Sequence, residues 1–327
     1  MTYVLARGVN LGGWMVLERW ITPSLFEGVD AKAEYGLCLK LGSREAKRRI
    51  ERHRETFITE AHLRQIKNLG LNSVRVPVGY WLFGDETPFV PGGDEVLDRL
   101  FVWAKRLSLG VVLVFHAAPG SQNGNDHSGR AGAVAWVQPK NIARSLDFIE
   151  RLAQRYGQKE ALIGIEVLNE PSTDIPLKLL IDYYKRSVAA VRTHSHGGVD
   201  AIVSDAFQPK QVCRAIRSAR IDAVVDLHLY QVFTTEDRVL SIDGHINKVE
   251  HRWARELHEL SRRNRIMVGE WSAAMGGSGF GRDDHRRYAS AQQQTFEQTG
   301  VSWMYWTART EDRGVWSLLD NHDLIRQ

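Results

Sequence analysis

Two glutamates directly follow apolar runs that predict buried strands. Burying a carboxylate there costs desolvation free energy unless the group is paired or functional. Glu170 follows the apolar run 163–168 in the order Asn-Glu-Pro, and Glu270 follows the apolar run 266–268. The proline after Glu170 ends strand pairing and favours an extended residue before it. Neither glutamate lies in a helix-like pattern, where this residue is ordinarily solvated surface. The sequence therefore predicts two carboxylates at the ends of strands.

Polar and aromatic side chains also mark the ends of other apolar runs. They are Arg75 in the second run, His116 after the third, Asn169 beside Glu170, His228 and Tyr230 after the sixth, and Trp306 after the eighth. A buried glutamate paired with Arg75 for stability is the structural alternative. Because desolvating two carboxylates is expensive, their grouping with His, Tyr, Asn and Trp favours a functional site.

Two carboxylates beside aromatic rings suit the hydrolysis of a glycosidic bond. One acid protonates the leaving oxygen, while the other attacks the anomeric carbon or activates water through an oxocarbenium-like transition state. Tryptophans would then stack on sugar rings. From their loop or strand-end positions, five are predicted to line the cleft: Trp14, Trp81, Trp136, Trp271 and Trp306. Trp103 and Trp253 lie in helix patterns and are predicted to be core.

Eight apolar or β-branched runs recur along the chain, at residues 4–9, 73–76, 111–115, 163–168, 201–204, 223–227, 266–268 and 301–305. Most are continuous, which is typical of strands buried on both faces of a parallel sheet. Helix patterns separate them at 57–69, 95–109, 141–156, 177–192, 249–263 and 284–298. This rhythm predicts an α/β fold, a (β/α)8 TIM barrel, with a doubly wound sheet as the alternative. A barrel would gather the strand-end residues at one face.

The composition is that of an ordinary globular protein, with 43% hydrophobic and 25% charged residues in a length of 327. A barrel typically takes about 250 residues. We therefore expect one catalytic domain over residues 1–327, with a long loop excursion at about 11–56. Cys38 and Cys213 lack the spacing of a zinc site and imply no disulfide.

The formal net charge of +4 indicates no special class of partner. Its basic residues are interleaved with glutamates on helix-like segments, so no nucleic-acid partner is expected. No run approaches the roughly 18 apolar residues of a membrane span. No secretory signal is visible, which predicts a cytoplasmic protein as given, or a secreted or periplasmic one if a signal was trimmed. The oligomeric state is left open.

Seven motifs cover nearly the whole chain: RGVNLGGWMVLERWITPSLFEG (7–28), LNSVRVPVGYW (71–81), HAAPGSQNG (116–124), EVLNEP (166–171), DLHLYQVF (226–233), VGEWSAA (268–274) and YWTARTE (305–311). In this order they resemble glycoside hydrolase family 5, and more closely its exo-β-1,3-glucanase branch. A lone NEP would be weak support, whereas seven motifs in family order are specific.

The resemblance implies a retaining mechanism without metal or cofactor. Glu170 matches the general acid/base and Glu270 the nucleophile. Arg75 would orient the nucleophile and keep it ionised, since a nearby positive charge favours the carboxylate. Asn169 would hold the sugar 2-hydroxyl, whose hydrogen bonds strengthen in the transition state.

The remaining matched positions would bind the sugar. His116 and His228 would line its pocket, Tyr230 would donate a hydrogen bond near the nucleophile, and Trp306 would form the stacking floor. Glu18 and Asp126 match positions that bind hydroxyls at the non-reducing end.

The chain departs from the branch around the acceptor site. Fungal members carry HGAPGSQNGFDNSG where residues 116–129 read HAAPGSQNGNDHSG. Ala117 replaces a glycine, and Asn125 replaces an aromatic residue that helps clamp the acceptor sugar, so Phe233 would be the remaining half of the clamp. WTARTE likewise replaces WTWKTE. These differences predict weaker or altered acceptor binding.

The sequence thus predicts a retaining, exo-acting β-glucosidase or exo-β-1,3-glucanase, with a β-glucan or glucoside as substrate. Retention predicts that the two carboxylates lie about 5–5.5 Å apart. Three alternatives stay open. The first is a β-glucan transglycosylase, and the second is a β-glucosidase acting on glycolipid or β-1,6-linked substrates. The third is a catalytically idle carbohydrate-binding barrel.

Overall fold

Eight parallel strands close into a barrel in the computed structural model, which describes residues 5–84 and 86–325. The strands are β1 Arg7–Asn10, β2 Ser73–Gly79, β3 Gly110–Ala117, β4 Leu162–Glu166, β5 Asp200–Ser204, β6 Val224–Gln231, β7 Arg265–Met275 and β8 Ser302–Tyr305. Each strand pairs with the next, and β8 pairs with β1. Each predicted run overlaps a strand, which confirms the (β/α)8 barrel, although Val4 lies outside the described residues.

Nine α-helices of the described chain surround the strands. They are α1 Glu34–Thr56, α2 Glu60–Asn68, α3 Asp94–Leu107, α4 Pro139–Tyr156, α5 Leu177–His194, α6 Pro209–Ser218, α7 Ile242–Asn247, α8 Ala254–Ser261 and α9 Arg282–Thr299. A π-helix, Lys248–Trp253, joins α7 to α8. Across residues 5–84 and 86–325, no helix combines the length and the apolar character needed to cross a membrane.

All six predicted helix patterns are helical, but α1, α6 and α7 have no counterpart among them. Helix α1 occupies much of the segment 11–56. Its second half is dominated by charged residues, and Gly42 breaks the helix with φ of +72°. Both features weaken the apolar periodicity from which a helix is predicted. Helix α6 has ten residues and is missed although Val212, Cys213 and Ile216 form one buried face, and α7 has only six residues.

An apolar layer fills the barrel beneath the carboxyl ends of the strands. It consists of Val112, Ile202, Val224, Met267 and Met304. Val112 is the register partner of Arg75, and Ile202 is that of Glu166, so these charged residues point into the same interior. The layer closes the barrel on one side of them and leaves the carboxyl ends of the strands for polar side chains.

Candidate active site

The carboxyl ends of the strands surround a cavity of about 700 Å³. Its lining is Glu18, Trp20, His116, Asn125, Asp126, His127, Glu170, Phe207, Tyr230, Val232, Phe233, Glu270, Trp306 and Trp316. Eight of these are residues that the sequence placed in a site. The other three, Arg75, Asn169 and His228, are buried and contact the carboxylates of that lining or one another.

Glu270 lies within β7 and is held by two donors. Arg75 Nη1 donates to its Oε1 at 2.9 Å, and the Tyr230 hydroxyl donates to its Oε2 at 2.9 Å. Burial raises the pKa of the Glu270 carboxyl above its ordinary value, while His228 and Arg75 limit that rise. The donors fix the orientation of both carboxylate oxygens, which suits a nucleophile.

Arg75 is itself fixed on the floor of the site. Its Nε donates to Glu166 Oε2 at 2.9 Å, its Nη1 to Asn10 Oδ1 at 2.8 Å, and its Nη2 to Asn169 Oδ1 at 2.9 Å. Although burial acts to lower it, the surrounding carboxylates raise the pKa of Arg75 above its ordinary value. The guanidinium is therefore a permanent positive charge, and it cannot rotate without breaking these three bonds and the one to Glu270.

Glu166 and Asp226 complete this floor, and neither was assigned a role from the sequence. Burial raises the pKa of Glu166 well above its ordinary value. The amide of Gly269 donates to Asp226 Oδ1, and a Cβ at this glycine would lie 1.9 Å from Asp226 Oδ2. The signal that could have found them is an acid inside an otherwise apolar strand run, which is costly unless it is paired.

Glu170 lies on the loop after β4, because that strand ends at Glu166, two residues earlier than predicted. Its backbone has φ of +42°, a strained value for a residue other than glycine. Asn123 Nδ2 supports it by donating to the Glu170 carbonyl at 2.9 Å. The turn aims the Glu170 carboxyl into the cavity.

One imidazole contacts both predicted catalytic carboxylates. His228 Nδ1 lies 2.5 Å from Glu170 Oε1 and 3.5 Å from Glu270 Oε2. Burial acts to raise the pKa of Glu170, but His228 lowers it to about 2. Burial acts to lower the pKa of His228, whereas Glu270 and Glu170 raise it well above its ordinary value. In this arrangement the proton between Glu170 and His228 lies on the imidazole.

Several buried polar atoms of the site have no hydrogen-bond partner in the described part of the chain. They are Glu18 Oε1, both ring nitrogens of His116, and Asn169 Nδ2. His116 stacks on Trp306 with ring centroids 5.7 Å apart, and burial lowers its pKa, so its ring is neutral. Buried polar atoms are normally hydrogen-bonded, so these indicate a polar ligand that carries several hydroxyls.

An aromatic arc forms one wall of the cavity. Trp20 and Trp316 lie with ring centroids 5.5 Å apart, Trp316 and Tyr230 5.8 Å apart, and Tyr230 and Phe233 5.5 Å apart. Phe233 is 67% exposed, so a bound ligand could pack against its ring. The sequence identified Phe233 and Tyr230 but missed Trp20 and Trp316, which belong to loops without a strand-end position.

The prediction that Trp14, Trp81, Trp136 and Trp271 line the cleft is wrong. All four are fully buried and absent from the cavity lining. The indole of Trp14 donates to the carbonyl of Arg54 at 2.9 Å, and that of Trp136 to Ser145 Oγ at 3.0 Å, so both are held in the protein interior. Trp306 does line the cavity. Trp103 and Trp253 pack against core clusters, as predicted.

Two groups of side chains have the donor types of a metal site: Glu166, Asp226 and His228, and Glu170, His228 and Glu270. Arg75 Nη2 lies 2.8 Å from Glu166 and 3.6 Å from Asp226, and Arg75 Nη1 lies 2.9 Å from Glu270. A fixed positive charge within contact of both groups repels a second cation. Function without a metal or cofactor stays a prediction.

Known proteins are similar to this chain over nearly its whole length. Residues 45–312 match the model of the cellulase family, glycosyl hydrolase family 5. A probable glucan 1,3-beta-glucosidase A of Aspergillus fumigatus is 34% identical, over 97% of this chain and 85% of that protein. The glucan 1,3-beta-glucosidase of Schwanniomyces occidentalis is 35% identical, over 95% of this chain and 84% of that protein.

Solved structures share the fold at lower identity. Rutinosidase from Aspergillus niger superposes with a TM-score of 0.84 at 20% identity, over 98% of both chains. Thermotoga maritima Cel5A in complex with mannotriose gives a TM-score of 0.63 at 16% identity, over 99% of this chain and 98% of that one. At these identities the likeness supports the barrel alone.

Proposed function

The chain belongs to glycosyl hydrolase family 5 and is therefore a glycoside hydrolase, and we propose that it is a retaining, exo-acting β-glucosidase of the exo-β-1,3-glucanase type. It would release glucose from the non-reducing end of a β-glucan or β-glucoside. One observation carries the proposal: Glu170 and Glu270 meet at a single imidazole in a cavity with unpaired buried polar atoms. All of these groups come from one barrel, which supports a single catalytic unit over residues 1–327.

The separation of the carboxylates supports retention of configuration. One oxygen of Glu170 and one of Glu270 lie within 4.8 Å of each other. Retaining glycosidases hold their carboxyl groups about 5–5.5 Å apart, whereas inverting enzymes need about 6.5–9.5 Å to admit a water. The bound of 4.8 Å on the two oxygens therefore favours the retaining arrangement.

In the first step Glu270 attacks the anomeric carbon and the glycosidic bond breaks. The leaving oxygen takes a proton from Glu170, so the products are a free sugar and an ester between Glu270 and glucose. Arg75 and Tyr230 hold the attacking carboxylate in place. In the second step Glu170 takes a proton from water, whose oxygen attacks the same carbon and displaces Glu270.

Acid catalysis requires the proton of the Glu170–His228 pair to lie on the carboxyl. The 2.5 Å contact between Nδ1 and Oε1 allows it to move from imidazole to carboxyl without rearrangement. The pair titrates as a unit, so the active form is the one that holds one proton between the two residues. Glu270 must at the same time be ionised.

The unpaired polar atoms account for sugar binding. Asn169 Nδ2 would donate to the 2-hydroxyl, His116 would bond a neighbouring hydroxyl, and Trp306 would support the ring. Glu18, whose other oxygen accepts from Trp20 Nε1 at 2.9 Å, would accept from a hydroxyl of the terminal sugar, with Asp126 beside it in the lining. Binding of the terminal sugar supports exo action.

The test is incubation with laminaritriose, with products and anomers followed by proton NMR. We expect laminaribiose as the leaving group and glucose that appears first as the β-anomer. Initial α-glucose without the β-anomer would overturn retention. Laminaribiose that appears first as the β-anomer, beside glucose already at its anomeric equilibrium, would show cleavage of the other bond and overturn exo action. Glu270→Ala serves as the inactive control.

Transglycosylation is a second candidate because the aromatic arc ends in an exposed ring that an acceptor sugar could cover. Phe233 is 67% exposed, and Phe207 in the same lining is 53% exposed. A sugar bound there would compete with water for the glycosyl-enzyme. Products longer than the substrate at high laminaritriose concentration would indicate transfer. Glucose without longer products would indicate hydrolysis.

A further inference from the structure

His127 is a second imidazole in contact with Glu170. Its Nε2 lies 3.4 Å from Glu170 Oε2, and its side chain is largely buried. It belongs to the short 3-10 helix Asp126–Ser128 in the loop after β3. The two oxygens of Glu170 therefore face different imidazoles, since Oε1 is contacted by His228.

The loop holds His127 in a fixed position. Its amide donates to Asp126 Oδ1 at 3.0 Å, and the next residue, Ser128, bonds through its hydroxyl to Ser121 Oγ at 2.6 Å. The His127 ring stands edge-on to that of His116, with centroids 5.5 Å apart. A ring fixed by its backbone and by a neighbouring ring can orient the carboxylate that it contacts.

We propose that His127 is a positioning residue for Glu170: its Nε2, 3.4 Å from Oε2, orients the oxygen that His228 leaves free and thereby sets the pH range in which Glu170 acts as an acid. This inference rests on the proposed function. It differs from the resemblance, because the fungal members carry asparagine at this position, in NGFDNSG, where this chain has NGNDHSG. Asparagine is polar but carries no titratable ring.

The direction of the effect follows from the groups that face the ring. They are Glu170 from the β4 loop and His116 from β3, with His228 beyond Glu170. Asp126, from the same turn, accepts from the backbone amide of His127. Burial lowers the pKa of His116, so that ring adds no charge. A nitrogen that donates to Oε2 favours ionised Glu170, and its removal strengthens the hold of the Glu170–His228 pair on its proton.

The variant His127→Asn tests this through leaving groups of different quality. For laminaribiose, whose departure needs an acid, we expect the alkaline limb of kcat/KM to move up by about 0.5–1 pH unit. For 2,4-dinitrophenyl β-glucoside, whose leaving group needs no proton, the profile should stay the same. The matched control is His194→Asn, because His194 Nε2 also lies 3.4 Å from a glutamate, Glu150, outside the cavity. In His194→Asn the alkaline limb of kcat/KM for laminaribiose should not move.

A second measurement does not depend on activity. In protein labelled with [13C]glutamate, the Glu170 carboxyl signal, assigned with Glu170→Gln, reports the pH at which the pair loses its proton. We expect that midpoint to rise in His127→Asn. An unchanged midpoint, or an equal shift in His194→Asn, overturns the role of His127. A wild-type protein that hydrolyses no β-glucoside overturns the proposed function instead, and leaves the NMR result to decide on His127.

Discussion

Asn169 accepts a hydrogen bond from Arg75 on the floor of the site and is proposed to donate one to the substrate. Its role can be tested by changing either the protein or the substrate. Its Oδ1 accepts from Arg75 at 2.9 Å, while its buried Nδ2 has no partner in the described chain. The proposed function places the sugar 2-hydroxyl against this nitrogen. Asn169→Ala removes the donor, and a 2-deoxyglucoside removes the hydroxyl. If the two groups bond to each other, the two losses are not additive.

The magnitude follows from the strength of such a bond. A hydrogen bond in which one partner carries charge contributes about 1.5–3 kcal/mol, and the 2-hydroxyl gains this character as the oxocarbenium forms. Since about 1.36 kcal/mol is a factor of ten in rate, removal of the hydroxyl should cost the wild type about ten- to 150-fold in kcat/KM through this contact. In Asn169→Ala the same removal should cost at least tenfold less than it does in the wild type.

The assay compares 4-nitrophenyl β-glucoside with its 2-deoxy analogue on each variant. Asn10→Ala is the matched control, because Asn10 Oδ1 also accepts from Arg75, at 2.8 Å, but its Nδ2 donates to the Gly269 carbonyl and not into the cavity. The control should lose activity while its 2-deoxy penalty stays as in the wild type. An equal penalty in Asn169→Ala and the wild type would refute the placement of the 2-hydroxyl.

Other perturbations address the remaining groups of the site. Glu270→Ala should abolish hydrolysis, with recovery by a small external anion such as azide; no recovery in a folded variant counts against its role as nucleophile. Glu170→Gln should slow laminaribiose far more than 2,4-dinitrophenyl β-glucoside, and equal losses would exclude acid catalysis by this residue. The kcat/KM profile should be bell-shaped. Activity falls on the acid side as Glu270 is protonated, at a pH above that of an ordinary carboxyl because burial raises its pKa. It falls on the alkaline side as the Glu170–His228 pair loses its proton, at a pH above that of an ordinary histidine, because the neighbouring carboxylates raise the pKa of His228. Asn125→Phe should shift preference towards longer laminari-oligosaccharides by adding a second ring to the acceptor site, and an unchanged chain-length preference contradicts this.

The barrel could be predicted because its strands are buried on both faces. Continuous apolar runs such as 111–115 are visible without any knowledge of their neighbours, and each became a strand. Helix α1 could not be predicted in the same way. Its pattern is interrupted at Gly42 and is dominated by charge after it, so its helical state depends on packing against the loop that precedes it.

The tryptophans show that position along the chain does not by itself predict which side chains line the cavity. Trp306, which follows β8, faces the cavity, whereas Trp271 lies within β7 and packs against Phe296 of α9. Because successive residues of a strand point to opposite faces, Trp271 faces away from the cavity that its neighbour Glu270 lines. Trp20 and Trp316 lie near opposite ends of the chain and meet because β8 pairs with β1.

The sequence by itself determined the barrel and pointed to the residue types of its proposed catalytic groups. Apolar runs and the desolvation cost of acids at their ends are local properties, so Glu170, Glu270 and Arg75 could be identified without coordinates. Only the tertiary structure decided how those groups share protons. His228 touches both glutamates, and His127 approaches Glu170 from another loop. Such contacts depend on distances of a few ångströms between residues far apart in the sequence. These distances are set only when the barrel closes and brings the strand ends together.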